Sequence, residues 1–551
     1  MNFSRKQLAI CLVIIGVVSL IPKLYSIDFS QPLGSDETGF ALHAFYYSTG
    51  HFAVTPKQQP GWSLLISLFY HLTSSNKFID YENTVRILSV VVSTISILPM
   101  YMLARRFFDE KYSLVASALL AFEPHLNRWA PLGYAEPLYN LVIILSLYFI
   151  LVKDSRRVLI SFVLAGILWW IRPNGIVMIF LISLIFIINF RRSPSFAKNL
   201  TLGIILFLIV ISPILIQRYN QYGDPFYVYY GSSIFAGSEQ QMIAENYDHN
   251  QFGLSEYVKQ HGVVQFLSKF IVGGAYKIIE GSVMLSFPFM IILLPFGILF
   301  SLRPLDQEKK HILANWIVIL GILCSLAIPY AVIQEYRFLF SLLPFFVVFS
   351  VIPIQRVTQY GLSTFSFSAK QKNLFLIIVI GIIFVLGGLF LLRYEKIDKA
   401  QINEEIEFAK ILQHDYHGRI LDTGYTTQYL TQVQLDNPPG IFKTYKINQE
   451  KIPYQGFPYT TGNVTNINLY GQSVEEIISS GESLGLKYIS INPKGISPDF
   501  KFFDNVYENE EQYPYLKKIF DSNEHGFKKF KVKVFEIDYN KFHQMNKVDA
   551  K

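Results

Sequence analysis

Charge is what this sequence has least of. Only 16% of its 551 residues are charged, where soluble domains carry about 25%, and that shortfall excludes an ordinary soluble protein over most of the chain. Cysteine is scarce as well. Cys11 and Cys324 are the two present, both within apolar segments and far apart, which leaves neither a disulfide framework nor metal-ligand spacing. His43, His51, His71 and His125 are scattered without ligand spacing, and neither an internal repeat nor a low-complexity stretch is present. The formal net charge of +7 is not the footprint of a nucleic-acid partner, because the basic residues cluster beside the ends of apolar runs.

Those runs are what the chain has in abundance. Hydrophobic residues make up 51% and aromatic residues 16%, and the mean hydropathy is +0.31. Apolar stretches of roughly 18 residues, long enough to cross a hydrocarbon core of about 30 Å as a helix, recur to about residue 393. About eleven spanning helices are expected, near 7–24, 84–104, 112–126, 135–152, 157–172, 173–190, 200–217, 283–302, 311–332, 336–356 and 374–393. The first follows Arg5 and Lys6 and is longer than the apolar core of a cleavable signal, so an uncleaved signal anchor is preferred to a signal peptide. Basic clusters at 105–111, 153–157, 191–198, 303–310 and 356–372 fall on one side with Arg5 and Lys6 if the helices alternate. By the positive-inside rule that side is cytoplasmic.

The opposite, external side then receives residues 25–83, the loop 218–282 and everything after 393. SDETGFALHAFYYSTG reads as an amphipathic helix capped by Ser35 with acids in its first turn. The apolar stretch in QQPGWSLLISLFYHLTS is too short to span and suits a helix along the interface. From 394 to 551 the pattern turns to polar and apolar alternation: RILDTGY, LKYISINP and KKFKVKVFEIDY as strands, EEIISSGESLG as a helix. The expected architecture is a polytopic α-helical membrane protein, residues 1–393, followed by an extracytoplasmic α/β domain, 394–551. Asn463-Val464-Thr465 in that domain is a sequon.

A charge at membrane depth costs on the order of 2.5–3.5 kcal/mol, so one that is retained there usually lines a cavity or marks a site. Asp36, Glu37, Arg128, Glu136, Arg172 and Arg337 all gather at external helix ends. Each has a plain explanation by itself: acids in a first helical turn complement the macrodipole, and arginines snorkel to an interface. Together they describe a polar pocket on one face. The aromatic loop FYVYYGSS is either an interfacial belt or a surface for stacking sugars.

The order DETGFALHAFYYSTGHF, PKQQPGW, ALLAFEPHLNRWA, YAEPLYNLVIILSLYF, WWIRPNG and EYRFLFSLLPF resembles the C-type superfamily of membrane glycosyltransferases, nearest to its protein O-mannosyltransferase and aminoarabinose lipid A transferase branch. The likeness covers roughly residues 1–360 and lies in order and spacing rather than in one motif. It implies transfer of a sugar, with inversion, from a polyprenyl-phosphate carrier to a protein, glycan or lipid hydroxyl on the external face. It further implies Asp36 as general base with Glu37 in support. Binding roles would fall to Lys57, Arg128, Glu136, Arg172, Tyr336 and Arg337, although PKQQPGW departs from the Lys-Pro-Pro-like turn of relatives. A lipid monophosphate needs less help to leave than a diphosphate does, so no metal or other cofactor is required, with a divalent ion at Asp36 or Glu136 as the alternative. The partners would be the lipid-linked donor, the acceptor and membrane lipid. A lipid-glycan transporter or flippase would also place charges among helices, but would favour a midplane site and repeated halves. A membrane-anchored protein acting through its tail would leave the acids and arginines unexplained.

Overall fold

Among the described residues, eight helices are long and apolar enough to cross a membrane: Arg5–Tyr25, Phe78–Ala104, Pro173–Phe190, Phe196–Tyr222, Leu254–Leu285, Lys309–Val332, Tyr336–Thr364 and Ala369–Arg393. Three shorter apolar helices, Glu136–Ile150, Leu159–Ile171 and Met290–Ser301, accompany them. The computed structural model describes residues 4–549 except 49, 51, 53–57, 74, 76, 155, 229–230, 232–233, 239, 243–252, 394–397 and 437–462. The first helix, α1 (Arg5–Tyr25), opens with a reciprocal capping box between Ser4 and Gln7, which satisfies two backbone donors at once.

Two places differ from the expected series of spans. The run expected at 112–126 is divided into Glu110–Ala121 and Pro124–Trp129. Pro124 starts the second piece, and Glu123 caps it by accepting from the Leu126 N–H at 2.6 Å; proline with a capping acid restarts a helix rather than continuing one. The second difference is Leu254–Leu285, helical where a loop was expected. Lys259, His261, Lys269 and Lys277 interrupt its apolar pattern, and its most apolar 18-residue stretch has a mean hydropathy of 1.3, against 2.1 to 3.2 for the other seven. Gly262, at φ 80°, breaks the helical path within it.

The segment between the first two spans builds much of the site. Helix α2 (Ser35–Ser48) begins at Ser35 itself. Helix α3 (Pro60–Ser67) takes Pro60 at its first turn and buries Trp62, Ser63 and Ile66. It packs inward more than an interfacial helix would: a side chain at Gly61 would lie 2.7 Å from the Trp170 carbonyl, and Trp62 donates its indole N–H to the Gly133 carbonyl at 2.9 Å. The exposed apolar residues, Leu68, Phe69 and Leu72, follow its end. Helix α4 (Phe78–Ile95) lies behind α2 and is held to it by Thr38, whose hydroxyl donates to Glu82 at 2.8 Å.

After Arg393 the chain forms a five-stranded sheet of order β2-β1-β3-β5-β4, with β1 (Gly418–Asp422), β2 (Val464–Ile467), β3 (Leu486–Ile491), β4 (Leu516–Asp521) and β5 (Lys533–Ile537). Strands β2, β1 and β3 are parallel; β5 runs antiparallel to both β3 and β4. The three strands read from the sequence form the middle of this sheet. The two at its edges, VTNI and LKKIFD, were not expected, because edge strands are short or carry lysine and lose the alternation that marks a buried strand. The helix Val474–Ser483 begins at a Ser473 cap, and Gly485 follows it at φ 66°, a left-handed position suited to glycine.

Helices Met290–Ser301 and Leu343–Arg356 meet so closely that a side chain at Gly297 would stand 2.1 Å from the Phe349 carbonyl. Gly297→Val should therefore cost about 1–3 kcal/mol by overpacking, read as a lowered unfolding midpoint in detergent. An unchanged midpoint would mean that the helices lie farther apart than described.

Candidate active site

Three consecutive residues in the first turn of α2 take three different partners, because successive helical positions point about 100° apart. Asp36 accepts from Arg337 Nη2 at 2.8 Å. Glu37, buried, is bonded to the Tyr134 hydroxyl, and Thr38 is bonded to Glu82. The Asp36 carbonyl also accepts from the Gln58 amide at 2.8 Å. The start of this helix is thus fixed by contacts from four parts of the chain.

Asp36 lines a cavity of about 180 Å³ together with Gln58, Tyr134, Glu136, Arg172, Glu335 and Arg337. Phe40 and Phe338 supply aromatic walls. Both arginines are already engaged. Arg337 pairs with Asp36 and Glu335 and lies over the Tyr134 ring at 4.8 Å. Arg172, in the extended backbone that ends helix Leu159–Ile171, pairs with the buried Glu136 and lies over Phe338 at 5.0 Å. Three lining carboxylates therefore face two guanidiniums, and the cavity carries an excess of negative charge when all are ionised. Glu136 Oε2 and both amide atoms of the buried Asn140 have no hydrogen-bond partner among the described residues. Of the two, Glu136 belongs to the lining of this cavity, and an open acceptor there suits the hydroxyl groups of a polyol better than it suits an anion.

Asp36, Glu136, Arg172 and Arg337 are thus brought together as the sequence led one to expect. Glu37 lies behind the cavity, where it holds Tyr134 beneath Arg337. Arg128 and Tyr336 are not among the lining residues; at the end of its short helix it is Trp129, next to Arg128, that packs on Tyr134 at 4.9 Å, and Tyr336 is exposed. Lys57 lies outside the described residues. Sequence reasoning missed Glu335, Tyr134 and Gln58, each within two residues of a position it did single out. Arg218, which is not among the residues lining this cavity, was not singled out either. This guanidinium is fully buried near the end of helix Phe196–Tyr222, 5.5 Å from the Trp169 ring, with no acceptor for any of its three nitrogens among the described residues. Among those residues, no cluster of three or more His, Cys, Asp or Glu could hold a metal ion.

The architecture around this cavity is a polytopic helical membrane unit followed by a small α/β sheet, and solved structures of membrane glycosyltransferases share its fold. The family model described as dolichyl-phosphate-mannose-protein mannosyltransferase matches residues 56–217, a segment that includes Gln58, Tyr134, Glu136 and Arg172 but neither Asp36 nor Arg337. Among solved structures, ArnT from Cupriavidus metallidurans bound to undecaprenyl phosphate aligns at a TM-score of 0.54 and 12% identity, over 95% of this chain and 97% of that one. The Archaeoglobus fulgidus oligosaccharyltransferase in its apo form aligns at 0.58 and 12%, over 89% of this chain and 70% of that one. The same archaeal enzyme, AglB, in complex with an inhibitory peptide and a dolichol-phosphate aligns at 0.56 and 12%, over 88% and 69%. At these identities the likeness is one of fold. No curated protein sequence matches this one.

Burial, with the Asp36 charge beside it, pushes the Glu37 carboxyl up from 4.5 to about 7, against the opposing pull of the Tyr134 hydrogen bond and Arg337. The folded state binds this proton more tightly than the unfolded chain does. Its contribution to stability is therefore complete below pH 4.5 and is lost as pH rises through 7. Glu37→Gln should flatten that slope, which is on the order of 3 kcal/mol in the wild type. Unfolding midpoints of both proteins across this range check it; parallel profiles would show that Glu37 titrates normally.

Proposed function

We propose that the protein is an inverting glycosyltransferase that moves a sugar from a polyprenyl-phosphate carrier to an acceptor hydroxyl at the external membrane face, with Asp36 as the base. The observation that carries this reading is the Asp36–Arg337 pair, closed between residues 301 positions apart in a cavity lined by carboxylates. A hydroxyl is a weak nucleophile and needs a positioned acceptor for its proton. Asp36 can supply one while the bond between the anomeric carbon and the phosphate oxygen breaks.

The ion pairing gives this step a balanced charge. As the acceptor oxygen bonds to the anomeric carbon, its proton passes to Asp36 and the carboxylate becomes neutral. The electron pair of the broken bond stays on the phosphate, which gains one negative charge. Arg337 loses a partner at the moment that charge appears, and is free to turn to the phosphate without any change in the total charge of the site. Preorganised cations of this kind stabilise a developing oxyanion most in a poorly hydrated site. Glu136, with its open oxygen, is assigned to a sugar or acceptor hydroxyl, and Arg172 holds it in place. The step so written balances without a metal.

Before reaction the carrier's phosphate is itself an anion and needs a cation that is not already paired. We assign that part to Arg218, because a guanidinium buried without an acceptor is costly to keep and a phosphate would complete it. The membrane unit then stands with its N-terminus in the cytoplasm, and the α/β domain outside. Neither the sugar nor the acceptor follows from the side chains seen, since protein, glycan and lipid hydroxyls present the same group to Asp36.

In membranes supplied with a labelled polyprenyl-phosphate sugar, Asp36→Asn should reduce transfer by about 10²–10⁴-fold while carrier binding is kept; full transfer in this variant would remove Asp36 as the base. Arg218→Met leaves no carboxylate stranded, so the fold should hold, whereas the KM for the carrier should rise about tenfold or more. An unchanged KM would return the phosphate to the Arg172 and Arg337 side.

A further inference from the structure

Adjoining the cavity that Asp36 lines is a second, narrower recess, walled by Tyr139, Asn140, Asn174 and Phe340. Glu136, Arg172, Arg337 and Phe338 border both spaces, so the two are neighbours across one shared wall. Helix Glu136–Ile150 places Asn140 four positions after Glu136, one turn on and on the same face. Asn174 stands in the short turn Pro173–Ile176 that follows Arg172. That turn is pressed against the helix before it: a side chain at Gly175 would lie 2.3 Å from the Leu168 carbonyl. The backbone on both sides of the recess is therefore set by packing.

Its polar groups are left open. Asn140 is 2% exposed, and neither its Nδ2 nor its Oδ1 has a hydrogen-bond partner among the described residues; the same holds for Glu136 Oε2 and Asn174 Oδ1. Buried polar atoms without partners cost stability, and an apolar residue at 140 would match Val142, Ile143, Ile144 and Leu147, buried in the same helix. Asparagine is also a weaker helix former than leucine. The recess is too narrow for a free water molecule, so water does not complete these groups as the side chains stand. Three open acceptors and one amide donor complement a hydroxyl, which can both donate and accept. An anion, which only accepts, would leave the acceptors unpaired and meet the Glu136 charge.

We propose that this recess is the compartment of the donor site that reads the exocyclic hydroxymethyl group of a hexose, with Asn140 and Asn174 as its specificity-determining residues. The inference rests on the reading of the larger cavity as a glycosyltransferase site. The sugar ring occupies that cavity beside Asp36, and Glu136 Oε2, which borders both spaces, takes a ring hydroxyl. A hydroxymethyl group carries its oxygen one bond farther from the ring than a ring hydroxyl does and can turn about that bond, which suits a recess set apart from the wider space. Its hydroxyl donates to Asn174 Oδ1 and accepts from Asn140 Nδ2. Phe338, on the shared wall and only partly buried, is the side chain that turns to admit it. A pentose of the same ring lacks the arm and leaves the buried amide unpaired.

The test compares polyprenyl-phosphate hexoses with the pentoses that differ only by lacking the hydroxymethyl group: glucose with xylose, and mannose with lyxose. In the full-length protein, the hexose of at least one pair should be favoured about tenfold or more in kcat/KM, the loss expected when a buried polar group goes unpaired. Asn140→Leu should remove most of that preference by weakening use of the hexose alone. Its unfolding midpoint without donor should not fall, because no hydrogen bond is lost. Asn174→Ala, at a partly buried position, should narrow the preference in the same direction and serves if the leucine variant does not fold. Equal use of both members of each pair, a preference for the pentose, or wild-type ratios in both variants would overturn the proposal. Binding, read as the rise in unfolding midpoint that each lipid-linked sugar causes, gives the same comparison without turnover. A hexose preference in binding that Asn140→Leu abolishes, in a protein that transfers no sugar, would refute the proposed reaction and leave the recess assigned; active transfer with equal binding and equal use of both sugars would do the reverse.

Discussion

The ion pair between Asp36 and Arg337 is the constraint on which the rest of the site depends. Buried charges are tolerated when they are paired and hydrogen-bonded, and this pair ties the first helix after the first span to the entry of the span Tyr336–Thr364. Glu335 takes the other side of the guanidinium, and Tyr134 lies beneath it as a stacking platform held from behind by Glu37. None of these groups can move without disturbing the next. In the proposed reaction the same pairing lets charge pass from Asp36 to a leaving phosphate without changing the sum in the cavity, so that a site with more carboxylates than arginines would still serve an anionic donor.

Helix α2 concentrates this dependence in one turn. Its acids suit the helix start and also serve the site, since adjacent positions face in different directions. Asp36 opens onto the cavity. Glu37 turns inward, where burial raises its affinity for a proton, and Thr38 turns toward Glu82. The capping and catalytic explanations of the acidic pair, alternatives in the sequence, are compatible in three dimensions.

Much of this was legible because charge is rare in the chain. Against an apolar background Asp36, Glu136, Arg172 and Arg337 stood out, and the alternation of apolar runs brought them to one face. What could not be read was pairing across long separations. Glu335 and Tyr134 lie next to residues that were singled out, yet only the fold shows that one flanks Arg337 and the other underlies it. Arg128 failed as a lining residue because in so short a helix the neighbouring Trp129 takes the position against Tyr134. Arg218 was hidden because an arginine near the end of a span has an ordinary interfacial explanation, and only the absence of an acceptor among the described residues sets it apart. The helix Leu254–Leu285 escaped notice because its lysines and glycines interrupt the apolar run that identifies a span, and the strands at the edges of the sheet because they are short or charged.

A structure of the protein bound to a polyprenyl phosphate tests the central claim most directly. The account requires the phosphate at the mouth of the cavity that Asp36 lines, within hydrogen-bond reach of Arg172, Arg218 or Arg337, with the Asp36 carboxylate facing the remaining open space. A phosphate bound away from that cavity, at the opposite ends of the helices or on the sheet, with the Asp36–Arg337 pair undisturbed and solvent-filled, would contradict it.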